Sequence, residues 1–287
     1  MGIHLHRIYS VKNYNYSPKQ QGISIVELLV ALAVGMVLIA GIMQVFLASK
    51  NTYAVNQAMS TVQENGRFAL EFIARSARQA GYVDPNNKVS RPFAVIPEVA
   101  KCSQESLPSK ACTKNGDALK SDIVSFAFQP PINQAGARVD CIGDTKEVDT
   151  NDKIVINRFL IADEDTAQAT LSCQRMVLNK NLNFIDTAGS YEKARLVEGV
   201  DKIQIQYGVS TNGDSHSVNK YINADKVDKW DEVLAVRIGV IANSGSDLNP
   251  APVAKEFYLF DTGPYTFPND RKLRQVFTTT VHIRNRK

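Results

Sequence analysis

The chain has 287 residues, 44% of them hydrophobic and 22% charged, with a formal net charge of +4. That length suffices for one large domain or two small ones beside a membrane helix. Arg7, Lys12 and Lys19 lie in a first stretch that holds no acid, so the chain from residue 23 onward carries only about +1, which gives no support for a globally nucleic-acid-binding protein.

Residues 1–22 contain Tyr, Asn, Ser and Lys without apolar periodicity and read as a disposable leader, in which His4 and His6 are incidental. Gly22 is followed by Ile23-Ser24-Ile25-Val26-Glu27, then by Leu28 to Met43 without one polar side chain, and the apolar character runs on to Ala48. Counted from Ile23 this is roughly 25 residues, enough to cross the ~30 Å hydrocarbon layer as a helix. The basic residues before it predict a cytoplasmic N-terminus, with the remainder in the periplasm or outside. Glu27 sits at the edge of the span, where a carboxylate is costly to bury without a partner. Two ordinary readings compete. A signal peptide has a shorter apolar run with its small-residue cleavage site after it, whereas Gly22 precedes a longer one. A plain membrane anchor has no use for Glu27.

Beyond the span the helical pattern changes character. Val55, Met59, Val62, Gly66, Ala69, Ile73, Ala77 and Ala80 recur at three- and four-residue steps, one apolar stripe on a polar helix. No proline occurs from Ile23 to Asp84, and Gly81 followed by Asp84-Pro85 is the expected stop. The prediction is one helix of roughly 58 residues, its first half suited to lipid and its second to a protein core. Phe68 and Phe72 lie off the stripe; packing beneath a second part of the head is the first expectation, contact with a neighbouring subunit the alternative.

From residue 85 the helical period disappears. Strands are expected at Ile123–Phe128, Lys153–Ile161, Leu171–Leu178, Val200–Val209, Val233–Ile241 and Val276–Ile283. Val200–Val209 alternates, with Ile203, Ile205, Tyr207 and Val209 on one face and Lys202, Gln204 and Gln206 on the other. Strands joined by turns and loops without helices argue for antiparallel sheet. The predicted fold class is α+β, a long N-terminal helix laid on an antiparallel head, with residues 1–22 as leader, 23–84 as helix (membrane segment 23–48) and 85–287 as head.

All four cysteines follow the span, and an even count in an exported domain reads as two disulfides. The short Ser/Pro/Lys-rich segment between Cys102 and Cys112 suggests a local loop, leaving Cys141 to pair with Cys173. Zinc is the competing reading, but no CxxC spacing is present. No enzyme motif of the GxSxG, HExxH or P-loop kind occurs, and His216 and His282 are isolated. The acidic loops Asp144–Asp152, Asp163-Glu164-Asp165 and Asn212–Ser215 lack the EF-hand spacing and read as solvated. The basic cluster Arg271, Lys272, Arg274, Arg284, Arg286 and Lys287 reads as an exposed tail or a source of subunit salt bridges rather than a DNA contact. Neither a cofactor nor a metal is expected.

Gly22, Ile23 and Glu27 resemble the processing site of type IV prepilins: a basic leader ending in Gly, then an apolar residue, with Glu fifth in the mature chain. Ile23 stands where Phe is usual, and the leader is longer than many. The helix from Glu64 to Tyr82, the stretch Leu196-Val197-Glu198-Gly199-Val200-Asp201, Trp230 with Val236-Arg237-Ile238, and the tail Phe277-Thr278-Thr279-Thr280-Val281 resemble PilW-type pilus assembly proteins.

That resemblance implies a minor pilin. Prepilin peptidase would cut between Gly22 and Ile23 and methylate the new amine of Ile23, Glu27 would set the helix register during assembly, and the partners would be the inner membrane, other minor pilins, the major pilin and a tip adhesin. It places the chain as a single-pass inner-membrane protein with a periplasmic head before assembly, and in a surface pilus afterwards. The competing functions are a minor pseudopilin of type II secretion, an adhesin or DNA-uptake pilin, and an anchored periplasmic enzyme.

Overall fold

A computed structural model describes residues 22–86, 92, 94–96, 112–132, 138–143, 152–183, 185, 191–212, 217–249, 251–252, 255–267 and 270–285. The chain divides between Lys50 and Asn51 into two compact units. Helix α1 (Ile25–Gln79) contributes to both.

In the first unit α1 is apolar all round and its side chains are exposed; its most apolar 18 residues have a mean hydropathy of 2.7 and none is buried. A helix of this kind finds its solvent in lipid or among other apolar helices. In the second unit α1 buries a stripe at three- and four-residue steps, including Ala58, Val62, Gly66, Ala69, Ile73 and Ala77. Small residues dominate that stripe and let the helix lie close on the sheets. The stripe is shorter than its sequence pattern, because Val55 and Met59 remain exposed. Phe68 and Phe72 are 48% and 39% exposed, so they do not pack beneath a second part of the head. At the helix end Gly81 adopts φ +76° and donates its N–H to Ala127 O at 2.8 Å. A Cβ there would stand 1.7 Å from Asn285 O, so only glycine fits this close approach.

Among the described residues the head holds two four-stranded antiparallel sheets and a ribbon. The first sheet runs β1 (Val124–Phe128), β2 (Ile154–Ala162), β3 (Thr170–Leu178), β4 (Tyr191–Glu198) in spatial order. The second has the order β10 (Arg274–His282), β7 (Ala235–Asn243), β5 (Val200–Val209), β6 (Lys220–Ile222). The ribbon pairs β8 (Phe257–Leu259) with β9 (Thr262–Tyr265). One core joins the helix to both sheets, with Ala69 and Ile73 of α1, Phe126, Phe159 and Leu171 of the first sheet, and Ile203, Ile238 and Val281 of the second. The six expected strands are present with boundaries within two residues of those expected, and Val200–Val209 unchanged. β4 was not expected, since Glu192, Lys193, Arg195 and Glu198 obscure its pattern; it is an edge strand, where such charges are tolerated.

The chain passes from the first sheet to the second at Gly199. Its φ is +72°, its N–H donates to Ala169 O at 3.2 Å, and its carbonyl accepts Asn243 N–H at 2.7 Å. An added Cβ would meet Asn65 Nδ2 at 2.8 Å and Asn243 O at 3.0 Å. Asn65 in turn donates Nδ2 to Asn243 O at 3.1 Å, so helix, crossover and second sheet converge at one point. This is why Glu198-Gly199-Val200 requires glycine.

The polar face of β5 is buried as thoroughly as the apolar one. The ribbon lies against this side of the sheet: Tyr265 Oη donates to Gln204 Oε1 at 3.4 Å and Gln206 Nε2 donates to Asp261 Oδ1 at 3.0 Å.

Candidate processing and assembly site

Gly22, Ile23 and Ser24 precede the first turn of α1 outside regular secondary structure and are exposed. Ser24 caps the helix, accepting Val26 N–H on Oγ at 3.3 Å and Leu28 N–H on its carbonyl at 3.1 Å. Glu27 then falls at the third helical position, within the first turn. Ser24-Ile25-Val26-Glu27 is thus a Ser-x-x-Glu cap pattern, legible in the sequence, which suits a carboxylate to the positive end of the helix. It supplies Glu27 with a local role besides any pairing with an amine. Residues 1–21 lie outside the described residues.

The cysteines serve the head. Cys141 and Cys173 form a disulfide with Cα atoms 6.3 Å apart. Cys112 is buried and disulfide-bonded, while Cys102, its expected partner, lies outside the described residues. A polar seam accompanies the first bond. Arg175 donates to Asp140 Oδ2 at 3.0 Å with both side chains fully buried, and Asn157 Nδ2 donates to Ser76 Oγ of α1 at 3.0 Å. Burial pushes the Asp140 carboxyl up, against backbone N–H donors and Arg175 that favour its ionised form.

Two readings of surface charge are corrected. The Asp163-Glu164-Asp165 loop is not simply solvated. Lys202 donates to Glu164 at 2.8 Å and Asp165 at 2.7 Å, Lys120 pairs with Asp165, and Arg195 donates to Asp163 at 2.8 Å. Hydrogen bonds from Lys120 and Lys202 hold the Asp165 carboxyl below the usual carboxylate range. Lysines therefore occupy the place a cation would need, and no metal-ligand cluster occurs among the described residues. The basic tail is likewise not all free. Arg274 is buried between Asp201, at 2.8 Å, and Asp270, with its guanidinium 3.9 Å over the Phe267 ring. Arg271 donates to Leu248 O and Lys272 to Ala167 O, both at 2.8 Å. Arg284 remains exposed, and Arg286 and Lys287 lie outside the described residues. Burial next to carboxylates in the same fold, invisible to composition, turns Arg274 of this cluster inward. Of the other acidic loops, most of 144–152 and residues 213–215, with His216, are also outside the described residues.

Among the described residues no catalytic constellation occurs. A capped apolar helix whose far half lies on antiparallel sheets is a type IV pilin-like architecture, the arrangement of a structural protein rather than an enzyme. The profile described as type IV pilus-assembly protein W matches residues 158–285, and that of the prokaryotic N-terminal methylation motif matches residues 17–43. Residues 158–285 are thus similar to PilW-type type IV pilus assembly proteins, and residues 17–43 carry the N-terminal methylation motif. That motif implies processing by prepilin peptidase and a membrane or pilus location. Among solved structures, the type IV-like pilin TTHA1219 from Thermus thermophilus aligns at 13% identity with a TM-score of 0.40, covering 78% of this chain and 98% of that one. No curated protein matches the chain.

Proposed function

We propose that this protein is a minor pilin, cut between Gly22 and Ile23 by prepilin peptidase, methylated on the Ile23 amine, and joined to other minor pilins in a tip complex that primes pilus growth. The supporting observation is the placement of Gly22, Ile23 and Glu27 inside the matched 17–43 segment, at the start of an apolar helix with no protein around it. Residues 1–22 then serve as leader, 23–48 as the single membrane pass and 85–287 as a periplasmic head. Two disulfides suit that oxidising compartment. Glu27 pairs with the positive amine of Ile23, on its own or an adjacent subunit, and this pairing in low dielectric sets helix register.

Intact-mass and N-terminal peptide spectrometry of the membrane-extracted protein tests the first step. The expected chain begins at Ile23 and is one methyl group heavier than the unmodified peptide. A mature chain starting anywhere else, for instance after Ala48, overturns the reading. Loss of pilus priming on deletion, restored by the wild-type gene, tests the tip-complex step separately.

A further inference from the structure

Most sheet edges of the head are covered or charged. Along β1, Ile96 N–H donates to Ser125 O at 3.0 Å, Ala127 N–H to Ala94 O at 3.2 Å and Ser125 N–H to Thr113 Oγ1 at 3.0 Å. The outer edge of β5 is taken by β6 and, further along, by Ser121 and Asp122. β4 carries charged side chains, which discourage pairing. β10 is different: from Gln275 to Val281 it holds no charge, and among the described residues β7 is its only strand partner.

Register decides which β10 groups face outward. The N–H groups of Ile203 and Ile205 bond Ser121 and Asp122, away from β7. Their partners Val240 and Ile238 therefore turn their backbone groups to Phe277 and Thr279 of β10. Alternation along an antiparallel ladder then points the N–H and C=O of Val276, Thr278, Thr280 and His282 to the free edge. The inward bond from Ile283 N–H to Leu234 O, 2.9 Å, has the same parity. No described residue bonds the four outward positions. Only another extended backbone supplies alternating donors and acceptors at this spacing.

We propose that the free edge of β10 takes an extended strand from a different protein, uncharged at its centre and acidic at both ends. A second copy fits badly. Antiparallel self-pairing centred on Thr278 sets Lys272 of each chain opposite Arg284 of the other, bringing cations together at both ends. Lys272 Nζ donates to a backbone carbonyl and forms no ion pair among the described residues, with the Asp201 and Asp270 carboxylates near enough to feel its charge. Arg284 is exposed with no carboxylate partner among the described residues. The same two cations favour acids flanking the incoming strand. The inference goes beyond the pilin reading and does not depend on assembly.

The test uses full-length protein in detergent micelles and a blocked nonapeptide of alternating threonine and valine with an aspartate at each end. Amide hydrogen exchange at Val276, Thr278 and Thr280 is expected to slow about tenfold or more at saturation, with little change for the same peptide ended in lysine. Thr278→Pro, which removes one outward N–H at an edge where proline is tolerated, is expected to abolish that protection while leaving the thermal midpoint as in wild type. Against wild-type protein, a version of the acidic peptide N-methylated at its bonding amides is expected to give none, which keeps the test independent of how the proline variant folds. Absence of protection by the acidic peptide overturns the proposal. So does equal protection by its N-methylated form, or protection that rises with protein concentration alone, the signature of a second copy.

Discussion

Asp122 is a buried carboxylate that accepts N–H bonds from Gly116 and Ile205, each at 2.7 Å, and no cation pairs with it among the described residues. Burial pushes its pKa up to about 7, with the two N–H donors opposing. In the unfolded chain it titrates near the ordinary value of about 3.9. Between those values the folded state holds the extra proton, so stability rises as pH falls from 7 toward 4 and is lost as pH rises through 7. Burial shifts Asp140 and Asp201 the same way. Asp122→Asn removes one carboxylate from this window, and the urea midpoint is expected to change less between pH 5 and pH 8 than in wild type. Trp230, the one tryptophan, reports it by fluorescence from a ring centroid 5.0 Å from that of Tyr207. At the other end of the chain, Glu27→Ala is expected to leave insertion and leader cleavage intact but reduce piliation and incorporation of this subunit. Glu27→Asp, with charge kept and reach shortened, is expected to fall between. Wild-type piliation with Glu27→Ala removes the carboxylate from assembly and leaves it as part of the helix cap.

Among the elements, β3 depends on the Cys141–Cys173 bond, which joins residues 32 apart and holds Asp140 beside Arg175. Replacing both cysteines with serine is expected to cost about 2–4 kcal/mol, read as a lower urea midpoint than that of the oxidised wild type. The junction of α1 with the head is less forgiving. Gly81→Ala combines a left-handed backbone with a Cβ driven into Asn285 O. The expected loss is about 2 kcal/mol or more, since backbone rather than a flexible side chain must move. Equal thermal midpoints for Gly81→Ala and wild type contradict this packing.

For the molecule as a whole, the first unit exposes an apolar helix and the second holds a closed core, so the two fail differently when altered. A bulky residue in place of Gly22 touches neither unit's packing, because nothing lies within 4 Å of its Cβ position. Gly22→Leu is therefore expected to leave the head's urea midpoint unchanged while the leader stays attached, seen as uncleaved mass in membrane extracts. A cleaved Gly22→Leu chain contradicts the processing assignment, and an unfolded head contradicts the separation of units.

Local and repetitive signals sufficed for much of this protein. The unbroken apolar run, the Gly22–Ile23–Glu27 spacing, the three-and-four stripe from Val62 to Ala80 and the alternation of β5 and β7 each depend on neighbours in the chain, so the helix, six strands and the pilin character are legible in residues alone. The Ser24–Glu27 cap was equally local and open to the same reading. What tertiary structure decided is where polar residues go. Lys202 and Gln204 lie on the polar face of β5, over which the ribbon and the Asp163–Asp165 turn, distant in sequence, close, and Arg274 of the basic tail is held between Asp201 and Asp270. The opposite holds for Phe68 and Phe72, apolar yet left exposed because neither sheet reaches their side of α1. The open edge of β10 is likewise a property of strand order: its side chains predict a strand, but only its pairing with β7 alone among the described residues leaves one row of backbone groups without partners there.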